Sequence, residues 1–333
     1  MRAWLVERNG DPSDVLELRD DVPEPVLHPG TVKVRVLAAA LNFPDILLCQ
    51  GKYQVTPTMP FTPGVEVCGE VIEVGEGVDQ WQVGDRVYGG PQSDAGAGGG
   101  YAEVAIMAAD GIFRVPEGMP AEEAAGYVVT YQTSWVALHH RGNIQAGDVV
   151  LVHAGAGGVG SAAIQIAKAA GATVIATAGG PDKKQILTDL GADIAVDYHA
   201  EDFVQVVKDA TDGRGADLVY DPVGGDVYDR STKCIAFEGR ILIIGFTSGR
   251  FAQAATNHVL VKNYSVVGLH WGLYKKMRPE IIPVADQALT ELYAAGKIRP
   301  YISQVYPMEQ LPEALEALGA RRTTGKAVLR IAG

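Results

Sequence analysis

The spacing of apolar residues changes character near residue 120. Upstream, apolar positions come in short alternating or nearly continuous runs over residues 2–6, 31–40, 65–74, 85–89 and 101–107, with prolines and glycines in the gaps. Side chains that alternate faces every second residue mark strands, so these runs predict an irregular β-barrel or sandwich. Residues 92–100 (QSDAGAGGG) predict a flexible loop with no phosphate-binding context. From residue 120 a helical spacing takes over. Glu122 and Glu123 stand in its first turn, where the helix dipole favours negative charge, and the apolar series continues through Tyr127, Val128, Trp135, Val136 and Leu138.

From Val149 onward strand and helix alternate. Strands are predicted at 149–152, 173–177, 194–196, 218–220, 240–244 and 264–267, with helices at 163–170, 182–190, 203–210 and 227–237 between them. Repeated units of this length predict an α/β architecture, a doubly wound parallel sheet with helices on both faces. Helices at 279–295 and 309–318 follow, and a last strand at 326–331 is expected to rejoin the N-terminal β domain as an edge pairing.

The stretch from Val149 to Ala170 organises the rest. Four apolar β-formers lead into Gly155-x-Gly157-x-x-Gly160, and an amphipathic helix follows. Strand, glycine turn and helix together form a dinucleotide fingerprint: the turn is tight, and Ala156, Gly157, Gly158 and Val159 can approach a pyrophosphate at the positive helix end. A cofactor with a free 2′-hydroxyl is held by an acid at the end of the second strand. Here that end reads Thr177-Ala178-Gly179-Gly180-Pro181, without an acid, and Asp182 is expected to cap the next helix. Lys183 and Tyr198 can flank a 2′-phosphate instead, so the expected cofactor is NADPH. His153 is expected to be structural, and His139 and His140 to be solvated or to meet a helix end.

Composition narrows the functional classes. With 28 basic and 40 acidic residues the net charge is −12, and no basic stripe offsets it, which argues against a nucleic-acid partner. No apolar run reaches the roughly 18 residues of a membrane span, and the N-terminus lacks a signal-peptide core. Three cysteines without a paired motif suit a reducing cytoplasm and offer no structural zinc site.

Several blocks in order along the chain resemble the zinc-free quinone oxidoreductase branch, ζ-crystallin among it, of the medium-chain dehydrogenase/reductase superfamily. They are Asn42-Phe43-x-Asp45 with Gly51-x-Tyr53, Pro63-Gly64-x-Glu66-x-x-Gly69, Val83-Gly84-Asp85, Thr133 with Ala137-Leu138, the glycine motif, and Gly325-Lys326. Residues 260–274 resemble the quinone oxidoreductase-like proteins in particular. The resemblance implies a GroES-like substrate domain of residues 1–123 and 298–333, a Rossmann domain of residues 124–297, a cleft between them, NADPH as hydride donor, and a homodimer. It also implies cofactor contacts at Thr133, Gly179, Lys183, Tyr198, Gly224, Gly245, Phe246, Thr247, Ser248, Val267, Gly268, Leu269 and Lys326. The alcohol dehydrogenase branch carries zinc ligands that this chain lacks: no His stands in Pro63-Gly64-Val65-Glu66, the four-cysteine loop is missing, and Cys49 alone makes no site.

Hydride delivery to a quinone, or to the β-carbon of an enone, leaves negative charge on a carbonyl oxygen that needs a hydrogen-bond donor. Tyr53 and Asn42 supply a phenol and an amide, and Asp45 can orient them. A phenol of ordinary pKa near 10 acts as donor at neutral pH. The leading expectation is an NADPH-dependent quinone reductase without flavin or zinc. Reduction of an enoyl or acrylate-type C=C bond is the alternative, and a nucleotide-binding protein with little catalysis the third.

Overall fold

A computed structural model describes residues 1–92 and 98–332, so 93–97 of the expected loop lie outside the described residues. The chain forms two compact units, Met1–Val129 with Ile302–Gly333, and Thr130–Tyr301. The divisions differ from the expected 123 and 297 because of specific bonds. The Val129 N–H donates to Glu66 Oε1 at 2.7 Å, which holds it in the first unit. Arg299 stays with the second, its N–H donating to Gln165 Oε1 at 2.6 Å while Gln165 Nε2 donates to Arg299 O at 3.0 Å.

In the first unit a sheet runs in the order Ile302–Pro307, Lys326–Arg330, Thr31–Ala40, Val67–Val74, Arg86–Gly89, Ile112–Arg114, with Val104–Ala108 also paired to Thr31–Ala40. The long strand Thr31–Ala40 buries Val32, Val34 and Val36 in the same core as Val67, Val71, Val87, Met107 and Leu329. The last strand does rejoin this β domain, antiparallel with Val328 opposite Ala40, but it is not an edge. Ile302–Pro307 adds parallel outside it, a strand whose mostly exposed residues leave no apolar alternation to read.

The second unit is a six-stranded parallel sheet. Its order is Ile194–Asp197, Thr173–Ala178, Val149–Val152, Ala216–Asp221, Ile235–Ile243, Ser265–Gly268. In order of sequence this is 3-2-1-4-5-6, with the reversal between the first and fourth strands, where open α/β sheets bind ligands. Two local expectations fail. The helix expected at 227–237 ends at Ser231, and the fifth strand begins at Ile235. That strand bulges between its pairings to Ala216 and Leu218, because Glu238 turns the backbone to a positive φ of 58° and Phe237 faces solvent. The single helix expected from 120 to 138 is instead Ala121–Ala125, a π-helical turn Val128–Gln132, a short α-helical piece Thr133–Trp135, and a second π-helical turn Val136–Arg141.

Candidate active site

The second unit holds every expected cofactor residue except Lys326, most of them on the loops that follow its strands. The strand Val149–Val152 is wholly buried and delivers the glycine turn to the helix Gly158–Ala169. Gly160 is forced by close approach, since a Cβ there would lie 2.2 Å from Ala154 O. Gly157 meets only Ala154 O at 3.3 Å, and no side chain caps the helix behind it. The free N–H groups of the first turn, beside Ala156, Gly157, Gly158 and Val159, therefore remain available to an anion.

The later strands of the same parallel sheet end in loops tied to one another. Asp221 closes the fourth strand, and its Oδ1 accepts the N–H groups of Val223 at 2.8 Å and Gly224 at 2.9 Å. The turn beginning at Gly245 and Phe246 lies on that loop, with Thr247 N–H donating to Pro222 O at 3.0 Å and Ser248 N–H to Val223 O at 3.1 Å. Val267 and Gly268 end the sixth strand, and Leu269 N–H donates to Ile243 O at 3.1 Å. Thr133 is buried between the two π-helical turns. Its neighbour Ser134 ties the segment to the sheet: its hydroxyl donates to Thr130 O at 2.8 Å and lies 2.9 Å from the buried Tyr220 hydroxyl. Widened turns that displace backbone groups recur at functional positions.

At the second strand's end Gly179 faces Tyr198, whose hydroxyl would be 2.7 Å from a Cβ on that glycine. Lys183 stands half-buried in the first turn of the helix Pro181–Asp189. Asp182 is not the cap: Gly180, at φ 91°, holds that position, and Asp182 sits exposed in the first turn. His153 is structural in the literal sense, bridging Thr177 Oγ1 at 3.1 Å and Ser231 Oγ at 2.8 Å. Burial, with the nearby Arg230 charge, pushes its pKa down to about 3. His139 stacks on Trp135 with centroids 5.1 Å apart, and burial lowers its pKa too; of its two expected roles it takes the one at a helix end, in the last turn of Val136–Arg141.

The first unit holds a buried polar network around Asn42. Asn42 opens the short helix Phe43–Cys49, and its N–H donates to Asp45 Oδ2 at 2.8 Å as one arm of a capping box. Asp45 also accepts the Gly64 N–H at 3.2 Å and the Tyr101 hydroxyl at 2.7 Å. Burial nevertheless raises its pKa to about 6 against these bonds. The Asn42 amide is fully engaged: Nδ2 donates to Ala40 O at 3.3 Å and Glu66 Oε2 at 3.1 Å, and Oδ1 accepts from Lys326 Nζ at 2.8 Å.

Lys326, expected to touch the cofactor, is buried in the same network. Its ammonium donates to Leu41 O at 2.9 Å, Asn42 Oδ1 at 2.8 Å and Glu66 Oε2 at 3.1 Å. Three protons meet three protein oxygens, so the group positions Asn42 and has no proton left for a ligand. Asn42 likewise has no free N–H for a substrate oxygen. Tyr53 differs: it is only partly buried, and among the described residues its hydroxyl makes no hydrogen bond. Desolvation first, and the Asp45 charge second, raise its pKa, which keeps the phenol protonated. Glu66 lies in the Pro63-Gly64-x-Glu66 block, but nothing local in the sequence marks it or Tyr101 as part of this network.

A catalytic zinc needs three protein donors of nitrogen, thiolate or carboxylate type. Among the described residues no group of three or more His, Cys, Asp or Glu side chains converges in that way. Cys49 is buried, and burial with the Asp45 charge pushes its thiol up to about 12. The donor set does not fit zinc.

Residues 28–117 match the alcohol dehydrogenase GroES-like domain and residues 158–287 the family described as zinc-binding dehydrogenase. The chain is 37% identical over 329 residues to a quinone oxidoreductase-like protein 2 homolog of Nematostella vectensis, covering 98% of this chain and 88% of that one. The Escherichia coli quinone oxidoreductase, solved in complex with NADPH, superposes with a TM-score of 0.89 at 31% identity, over 99% of this chain and all of that one. CurK enoyl reductase superposes with a TM-score of 0.87 at 28% identity, over 99% of both chains.

Proposed function

The chain belongs to the medium-chain dehydrogenase/reductase superfamily, in its quinone oxidoreductase-like branch, and on that footing we propose that it is an NADPH-dependent, zinc- and flavin-free quinone reductase. The observation that carries this reading is the likeness, over essentially the whole chain, to a quinone oxidoreductase solved with NADPH. The local chemistry supports it. The uncapped N-terminus of Gly158–Ala169 suits a pyrophosphate, and the acid-free turn at Gly179, with Tyr198 above it, suits a 2′-phosphate.

NADPH, when bound, supplies the hydride. Thr133 faces the nicotinamide in this reading, and Gly224, Gly245 to Ser248 and Val267 to Leu269 wall the pocket at the sheet's edge. Tyr53 donates a hydrogen bond to the quinone oxygen that gains charge, its raised pKa making it a donor and not a base. Asn42 does not donate itself. Held by Glu66 and Lys326 through its side chain and by Asp45 through its backbone, it fixes the segment that leads to Tyr53. A homodimer is supported by the open edge strand Ser265–Gly268 and the adjoining helix Thr256–Lys262, which buries no residue and leaves Leu260 76% and Val261 77% exposed.

Enoyl reduction is the second reading, favoured by the likeness to CurK enoyl reductase. An acceptor panel separates the two. Oxidation of NADPH by 1,2- or 1,4-quinones supports the first, and turnover confined to enones or acyl thioesters supports the second.

A further inference from the structure

We infer that His199 is a further side-chain ligand of the cofactor's 2′-phosphate, beside Lys183 and Tyr198, and contributes to NADPH specificity. The inference rests on the NADPH reading above. The second and third strands of the parallel sheet leave it side by side, Asp197 pairing with Ala178, and Tyr198 N–H donates to Ala178 O at 3.1 Å. The residues that follow each strand therefore meet at one edge. A Cβ on Gly179 would lie 2.7 Å from the Tyr198 hydroxyl and 2.8 Å from His199 Nε2. Two polar tips thus converge over one glycine, at the strand end that contacts the adenosine ribose in this fold.

The arrangement is built, not incidental. The two rings pack edge to face with centroids 4.6 Å apart, although both residues are otherwise exposed. Their backbone is fixed by the buried Asp197, whose Oδ1 accepts the N–H of His199 at 3.0 Å and of Gly180 at 2.9 Å. Those backbone donors also hold the Asp197 carboxyl below the usual carboxylate range. Asp197, at the end of the third strand, therefore braces the turn and does not stand in for the ribose-binding acid. What faces outward is a phenol O–H and an imidazole nitrogen, donors that suit a phosphomonoester and fit a lone 2′-hydroxyl poorly.

Dissociation constants for NADPH and NADH, measured on the full chain for wild type, His199→Ala, His199→Gln and Tyr198→Phe, test this. His199→Ala is expected to weaken NADPH about tenfold and NADH less than about twofold, the scale of one charge-assisted hydrogen bond. His199→Gln, which keeps a donor, should lose less than His199→Ala. Competition by 2′,5′-ADP should weaken with NADPH, and competition by 5′-AMP should not. A wild type that prefers NADPH, with His199 variants that keep the full preference or weaken both cofactors alike, overturns the role of His199 and leaves the NADPH reading standing. A wild type that binds the two cofactors equally overturns the NADPH reading itself.

Discussion

Glu66 and Lys326 stand 260 positions apart in the chain, yet their carboxylate and ammonium meet at 3.1 Å with side chains 0% and 5% exposed. An internal ion pair draws its strength from mutual satisfaction and becomes a liability when one partner is lost. Lys326→Met should therefore lower unfolding stability by about 3 kcal/mol, read as the urea midpoint, because it leaves Glu66 buried without its cation. The double variant with Glu66→Gln should recover much of the loss. A Lys326→Met protein within about 0.5 kcal/mol of wild type shows that the pair does not hold the site together.

Tyr53→Phe should lower kcat by about tenfold or more with KM changed little, since the lost bond forms mainly as charge develops on the acceptor. Asn42→Ala should instead reduce stability along with activity, because it removes a partner of both Glu66 and Lys326. An unchanged kcat for Tyr53→Phe reduces Tyr53 to a wall of the substrate site.

His153 makes a pH-dependent prediction. Its pKa in the folded protein is about 3, against an ordinary 6.5 when unfolded, so between those values only the unfolded chain takes up the proton. Its contribution to stability is complete above pH 6.5 and falls with acidification toward pH 3, at up to about 1.4 kcal/mol per pH unit. Asp45 works in the opposite sense: with its pKa raised to about 6, it favours the folded state most below pH 4 and loses that contribution as pH rises through 6. His153→Phe should flatten the acid limb of the stability profile relative to wild type. Parallel limbs for the two proteins contradict a neutral, buried His153.

What was legible in the sequence was local. The glycine turn, its strand and its helix share one short segment, so their pattern could be read without the fold. The acid-free end of the second strand was equally visible at Gly179. The network around Asn42 was not, because Glu66, Tyr101 and Lys326 reach it from positions far apart in the chain. The π-helical turns beside Thr133 escaped because a slightly widened turn barely disturbs an apolar period. Asp182 suits a cap by type, but Gly180 takes the position through a backbone conformation open to glycine. His199 gave no signal because only the pairing of two strands brings its ring over Gly179.

Gly179→Ala tests the space at that point. The methyl group would lie 2.7 Å from the Tyr198 hydroxyl and 2.8 Å from His199 Nε2, both at the ends of exposed side chains that can move aside. Stability should change by less than about 1 kcal/mol, as for most surface changes, while NADPH affinity falls several-fold because the two donors are displaced. An affinity equal to wild type contradicts a 2′-phosphate seat above this glycine.

The most direct test of the whole account is the steady-state oxidation of NADPH by 1,2- and 1,4-quinones, with the purified protein freed of flavin and metal. The account predicts saturable turnover, with kcat/KM at least about tenfold higher for NADPH than for NADH, the scale of one charge-assisted contact to the 2′-phosphate. NADPH binding without quinone turnover, or turnover that appears only when flavin or zinc is added back, would contradict it.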